Sequence, residues 1–203
     1  MHLLLIRHAL PTQSAPGDGA DPPLAELGRV MASRLPTALE RHGVNRIVSS
    51  PQRRAFETAQ PVATALGAPI EIDERLAEYD YGLTEYVPVE QMGADDPGKL
   101  ARLVAGELPD GVDVDAFTTR VRSAGDDLVA ASRRADVVAV FTHGGVINVL
   151  LQRALSTPRI FPFTIDYVSV THVVYRSDGS PIVLGVNNVE HVWDLLPRLS
   201  KRR

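Results

Sequence analysis

The chain has 203 residues, 44% hydrophobic and 23% charged, with a formal net charge of −4, which suits one soluble domain spanning residues 1–203 and excludes a disordered, collagenous or coiled-coil chain. The absence of cysteine removes disulfide frameworks, thiolate nucleophiles and Cys-type zinc sites, and the acidic balance argues against a general nucleic-acid binder. No apolar run approaches the ~20 residues that cross a bilayer, and the Leu3–Ile6 run, ended by Arg7 and His8, is too short for a signal-peptide core; the expected compartment is the cytoplasm.

Leu3-Leu4-Leu5-Ile6 is apolar without alternation, as in a strand buried on both faces. Residues 11–23, rich in Pro, Gly, Asp and Ser, read as a loop. Leu24, Leu27, Met31, Leu35 and Ala38 recur at steps of 3, 4, 4 and 3, the rhythm of an amphipathic helix closed by Gly43. Arg46–Ser49 reads as a second strand. Ser50 and Pro51 then read as an N-cap and first helical position, with Ala55, Ala59, Val62 and Leu66 as the buried face and Gly67 as the stop. Ile70 and Ile72 mark a third strand. The 79–111 stretch, interrupted by Pro88, Pro97 and Pro109, reads as loop and short helical pieces.

Phe117, Val121, Ala124 and Leu128 restore the helical rhythm. Val137–Phe141 is a further buried strand, followed by Thr142-His143-Gly144-Gly145 and a helix over 146–154. Val168–Tyr175, the Ser177-Asp178-Gly179 turn and Ile182–Val186 form an antiparallel hairpin. Alternating strands and helices predict an α/β fold: a three-layer sandwich, its sheet mostly parallel with an antiparallel edge and helices on both faces.

In such a sheet, ligands gather at the carboxyl ends of the strands, where helix N-termini also point. Three of these ends carry basic groups: Arg7 and His8, Arg54, and His143. Cations at helix N-termini oppose the macrodipole, and a bound anion would offset that cost. The residue types suit a phosphoryl group: arginine presents a planar fork to two oxygens, and histidine can be a neutral nucleophile or a cation near neutral pH. A proton donor for a leaving oxygen would be Glu78 first, Glu85 second.

Taken singly, each residue has a plainer reading. Arg7 and His8 can simply end a strand, Arg54 can lie on a helix surface, His143 in a turn, and Glu78 in a solvated loop. Nineteen of the 21 basic residues are arginine, so no single arginine carries weight; three cations at corresponding strand ends do. His172 shares a strand face with Val168, Val170 and Val174, which leaves core packing and a pocket edge both open. His191 fits a turn or the neighbourhood of the site equally. His2 and His42 have no supporting pattern. No paired His spacing supports a metal site.

The ordered motifs resemble the histidine phosphatase superfamily, in its phosphoglycerate-mutase-like branch. They are Leu-Ile-Arg7-His8-Ala9; Asp21-Pro-Pro-Leu24-Ala-Glu-Leu-Gly28; Ser49-Ser50-Pro51-Gln52-Arg53-Arg54-Ala55 with Thr58-Ala59; Arg75-Leu-Ala-Glu78-Tyr79-Asp80-Tyr81-Gly82; Thr142-His143-Gly144-Gly145; and Asn187-Asn188-Val-Glu-His191. The resemblance implies that His8 is the nucleophile that becomes phosphohistidine, that Arg7, Arg54 and His143 hold the phosphate oxygens, and that Glu78 is the acid and base. It implies no metal and no cofactor. The expected activity is a phosphomonoester hydrolase for small phosphorylated metabolites; the alternatives are a phosphoglycerate-mutase-type phosphotransferase and a non-catalytic phosphate-binding module.

Ala9 replaces the family's glycine, a tolerated change. Two further departures favour the hydrolase: Pro11 and Ser14 stand where mutases place Ser and Asn, and the segment between Glu78 and His143 is shorter than in mutases. The variable 83–111 segment and the 12–22 loop are expected to set specificity. The expected partner is a small phosphorylated substrate, with no nucleic acid and no membrane, and a homodimer through an edge strand is compatible with the pattern.

Overall fold

A computed structural model of the chain describes residues 1–13, 21–83, 98, 102, 105, 107–109 and 111–197. Glu85, Tyr86, Ser14, most of the 83–111 segment and the basic cluster Arg198, Lys201, Arg202 and Arg203 lie outside the described residues.

Six strands form one sheet. They are β1 (His2–Arg7), β2 (Arg46–Ser49), β3 (Ile70–Ile72), β4 (Val137–Thr142), β5 (Val170–Tyr175) and β6 (Pro181–Asn188), in the order β3-β2-β4-β1-β5-β6. The pairs β1–β4, β2–β4 and β2–β3 are parallel, and β5 runs antiparallel to both β1 and β6. The sheet is therefore the mostly parallel one, with an antiparallel edge hairpin, that the apolar runs predict.

Among the described residues, five helices pack on it: α1 (Glu26–Ser33), α2 (Leu35–Glu40), α3 (Arg53–Leu66), α4 (Val114–Ala130) and α5 (Gly144–Leu155). Because successive strand residues face opposite sides, the continuous run in β1 feeds two cores. Leu4 and Ile6 join Ile47 and Phe141 against Met31, Leu35, Leu39 and Val62 of α1–α3. Leu3 and Leu5 join Val138 and Val140 against Phe117, Val121, Ala124 and Leu128 of α4 and Ile147 and Leu151 of α5. Burying each such aliphatic side chain stabilises the fold by roughly 1.5–3 kcal/mol, so both layers of helices are firmly seated. Among the described residues, no helix is long and apolar enough to cross a membrane.

The first helix differs from its expected form. It breaks at Arg34 into α1 and α2, because Pro36 has no N–H and its ring would strike the carbonyl four residues back; in the first turn of a new helix it is tolerated. The break turns Leu39 inward, leaves Ala38 half-buried and leaves Leu27 exposed.

The next helix starts later than Ser50 and Pro51 suggest. Gln52 is the residue before α3, and the Arg53 N–H is accepted by Asp21 Oδ1 at 2.7 Å. Its buried face includes Arg54 and Thr58, while Leu66 is exposed. Gly67 ends α3 with a positive φ of 61°, where a side chain would be strained.

Candidate active site

The parallel register aligns the strand ends. Arg7 pairs with Thr142 and Ser49 with Phe141, and the ladder continues one residue further: His8 N–H donates to the Thr142 carbonyl (2.8 Å) and Ser50 N–H to the Phe141 carbonyl (2.9 Å). His8, Ser50 and His143 are thus delivered together, with the His8 and His143 ring centroids 5.2 Å apart. Arg7, His8, Arg54, Glu78 and His143 are all buried.

His8 Nδ1 lies 2.8 Å from the Ala9 carbonyl oxygen. A carbonyl only accepts, so Nδ1 carries the hydrogen and Nε2 keeps its lone pair. Burial, with the Arg54 and Arg7 charges added, holds the His8 pKa well below its ordinary value. A neutral imidazole with a bare Nε2 is the nucleophilic form. Burial also holds His143 neutral, helped by Arg54, His8 and Arg7; its Nε2 meets Ser50 Oγ at 2.8 Å. Of the basic groups expected at the strand ends, the two histidines are therefore neutral and the arginines carry the charge.

Arg7 is fixed by a turn over 165–169. Its Nη1 donates to the Ile165 carbonyl (2.6 Å), and its guanidinium lies 4.0 Å over the Tyr167 ring, which also faces His8 at 5.7 Å. Val168 closes this turn at φ 50°, a left-handed conformation that costs a β-branched residue of order 1–3 kcal/mol. The Val168 N–H donates to the Arg7 carbonyl (3.1 Å) and the Ser169 N–H to the Asp166 carbonyl (3.2 Å). Asn187 braces the turn from behind, its Oδ1 accepting the Asp166 N–H (2.7 Å) and its Nδ2 donating to Asp166 Oδ2 (2.8 Å). Asn187, part of the closing motif, supports the turn behind Arg7.

Arg54 is fully buried, and one of its terminal nitrogens donates to both oxygens of Asp80, at 2.9 and 2.8 Å. Its charge is thus balanced within the protein as well as by any anion. Gln52 Nε2 also donates to Asp80 (2.8 Å), while Gln52 Oε1 accepts the Glu78 N–H (2.7 Å).

The Glu78 carboxylate accepts the Gly145 N–H at 2.8 Å and the Tyr79 N–H at 3.2 Å. Burial first, and the neighbouring Asp80 charge second, raise its pKa to about 7. A Cβ on Gly145 would collide with this carboxyl group, so Gly145 is needed for the close approach of α5 to Glu78. Arg120 of α4 pins the same segment, donating to the Arg75 (2.8 Å), Ala77 (2.6 Å) and Glu78 (3.0 Å) carbonyls.

The five residues singled out from sequence are therefore brought together. Asp80, Gln52, Ser50, Arg120 and Tyr167 were not singled out, although a buried arginine calls for a carboxylate and Asp80 stands in the Glu78 motif. Tyr79 packs edge-on against Phe117, and Tyr81 is exposed.

Three other histidines lie apart: His2 Nδ1 and His172 Nε2 are 2.9 Å apart, His42 meets His172 edge-on, and His42 and His172 line a groove of about 470 Å³ between α2 and the β5–β6 edge. His191 lines the same groove and also hydrogen-bonds the Val168 backbone in the turn behind Arg7. Among the described residues, no group of three or more His, Asp or Glu is placed to hold a metal ion.

Comparison with known proteins agrees with this geometry. Residues 3–188 match the model of the histidine phosphatase superfamily (branch 1), and the chain belongs to that superfamily. It is 30% identical over 204 residues, covering 95% of this chain and 98% of the other, to a Hydrogenobacter thermophilus protein provisionally named phosphoserine phosphatase 2. It is 28% identical over 143 residues, 68% of this chain and 66% of the other, to an Enterobacter protein provisionally named phosphoglycerate mutase GpmB.

Among solved structures, it superposes on mycobacterial glucosyl-3-phosphoglycerate phosphatase Rv2419c complexed with VO3 at a TM-score of 0.77 and 27% identity, covering 93% of this chain and 99% of that one. The chain spans 54% of the length of the mycobacterial relatives that match it at 29% identity over 199 residues.

Proposed function

We propose that the chain is a metal-independent phosphomonoester hydrolase that works through a phosphohistidine at His8. The observation that carries this reading is a pair of opposite perturbations in one pocket: His8 is kept neutral with a bare Nε2, while Glu78 is raised to about 7. That is the pairing a nucleophile and a proton donor need near neutral pH.

In the first step the Nε2 lone pair attacks phosphorus, the ester P–O bond breaks, and the Glu78 proton goes to the leaving oxygen. In the second, the Glu78 carboxylate takes a proton from water, the water oxygen attacks phosphorus, and the P–N bond pair returns to Nε2. The products are an alcohol and inorganic phosphate, with Glu78 again protonated. Arg7, Arg54 and His143 hold the phosphoryl oxygens and neutralise charge as it is transferred.

The substrate is a small phosphorylated metabolite met in the cytoplasm, with neither nucleic acid nor membrane as a partner. Two relatives are named for phosphoserine and for glucosyl-3-phosphoglycerate, both phosphate esters of three-carbon acids, and a substrate panel should begin there.

The deciding experiment is a quench of the enzyme during turnover. Acid-labile, base-stable phosphate is expected on the wild-type protein and none on His8→Ala, which should also be inactive. Label on the His8→Ala protein would overturn the assignment.

A further inference from the structure

We infer that Asp80 is a positioning residue with two linked tasks: its carboxylate holds Arg54 in the phosphate pocket, and its charge keeps a proton on Glu78. The inference rests on the reading of Glu78 as the acid.

A carboxyl group buried near an arginine ordinarily ionises, since an opposite charge within ~4–6 Å lowers its pKa by one to three units. Glu78 stands in that situation, because the Arg54 charge acts on it directly. A loss of its proton would remove the acid before the ester oxygen leaves. The arrangement around Arg54 prevents this. Its terminal nitrogen donates to both Asp80 oxygens, so the cation already faces a carboxylate of its own. Gln52 ties the two acidic residues together, with its amide nitrogen on Asp80 and its amide oxygen on the Glu78 N–H. One side chain therefore ties the Asp80 carboxylate to the Glu78 backbone.

The groups around Glu78 divide cleanly. Toward ionisation act Arg54 from α3 and the N–H groups of Gly145 from α5 and Tyr79. Arg120 from α4, bonded to the carbonyls of Arg75, Ala77 and Glu78, adds its charge on the same side. Arg7 at the end of β1 lies against the Tyr167 ring, and burial holds His8 and His143 neutral. Toward the protonated form act burial and the Asp80 charge. Removing that charge takes away both the carboxylate bonded to Arg54 and an influence that holds the proton.

The test is Asp80→Asn, which keeps the shape and an accepting oxygen but not the charge. With a poor leaving group, the wild-type kcat should fall above about pH 7, and Glu78→Gln should abolish that limb. In Asp80→Asn the limb should move down by roughly one unit, giving a loss of about tenfold at pH 8 and little loss at pH 5.5. An aryl phosphate, whose oxygen leaves with little protonation, should show no such shift in its phosphorylation step.

A uniform loss at every pH, with the limb in place, would mean Asp80 only holds Arg54 and would overturn the inference. If the Asn variant does not fold, Asp80→Glu decides: with the charge kept, the limb should stay near the wild-type position even as the rate falls. A limb that moves in Asp80→Glu overturns the inference. Trapping of phosphate on wild-type His8 reports separately on the reading beneath it, and a limb that survives Glu78→Gln would overturn the acid assignment itself.

Discussion

At the scale of single residues, the site is defined by how each side chain's proton and charge are fixed. Arg54, itself without exposed surface, is gripped by Asp80. Arg54→Lys keeps the charge but loses the planar fork. The expected outcome is a fall in kcat/KM of at least about 100-fold, the range for losing one transition-state donor, with the fold intact by circular dichroism. A lysine variant near wild-type rates would place Arg54 outside the phosphate shell.

Glu78 supplies a second residue-level expectation. In Glu78→Gln the pre-steady-state phosphorylation rate should collapse for sugar phosphates and drop much less for activated aryl phosphates, because only the poorer leaving group needs the proton. Equal losses for both would move the acid role to another group.

At the scale of elements, the site depends on three close approaches to strand ends. The N-terminus of α5 comes against Glu78 only because residue 145 has no side chain. Gly145→Ala should push the carboxyl group away from the Gly145 N–H and cost about tenfold or more in kcat on poor leaving groups, within the range attributed to a positioned acid. Combined with Glu78→Gln, the alanine should cost almost nothing further, since both changes remove one function. Losses that multiply would show that the glycine serves something else.

The turn over 165–169 is the second approach, carrying the strained Val168 and braced by Asn187. The ladder that continues from β1 and β2 into His8 and Ser50 is the third.

At the scale of the whole molecule, burying these groups couples the site to folding. His8 and His143 lie well below 6.5 in the fold, and His172 falls to about 4. As the pH drops through 6.5, the unfolded chain takes up protons that the folded chain refuses. The contribution of these histidines is therefore complete above 6.5 and lost in acid. Glu78 runs the other way: its folded value, about 7, exceeds its ordinary 4.5, so its contribution is complete below 4.5 and lost as the pH climbs toward 7.

Between these values the histidines outnumber the single carboxyl group. Urea unfolding from pH 5 to 8 should show stability rising to about pH 7 and levelling off above it. His143→Gln should flatten the rise, and Glu78→Gln, which removes the opposing group, should steepen it. A profile unchanged by either variant would mean that neither group's protonation is linked to folding.

Much of this was legible from the chain alone, and the reason is local. The unbroken Leu3–Ile6 and Val137–Phe141 runs can only be buried on both faces, which specifies a central parallel sheet with helices on either side. His8, Arg54 and His143 follow strands directly, so the strand-end rule gathers them without any knowledge of packing.

Tertiary structure decided what depends on long-range pairing. Asp80 reaches Arg54 across 26 residues and Asn187 reaches Asp166 across 21, and no periodicity encodes such contacts. The same holds for the partner of Gly145: only the packing of α5 on the Glu78 segment shows that a carboxyl group fills the space beside it. The proton states of His8, His143 and Glu78 were decided there too, because burial is the largest cause of each shift and burial belongs to the folded chain as a whole.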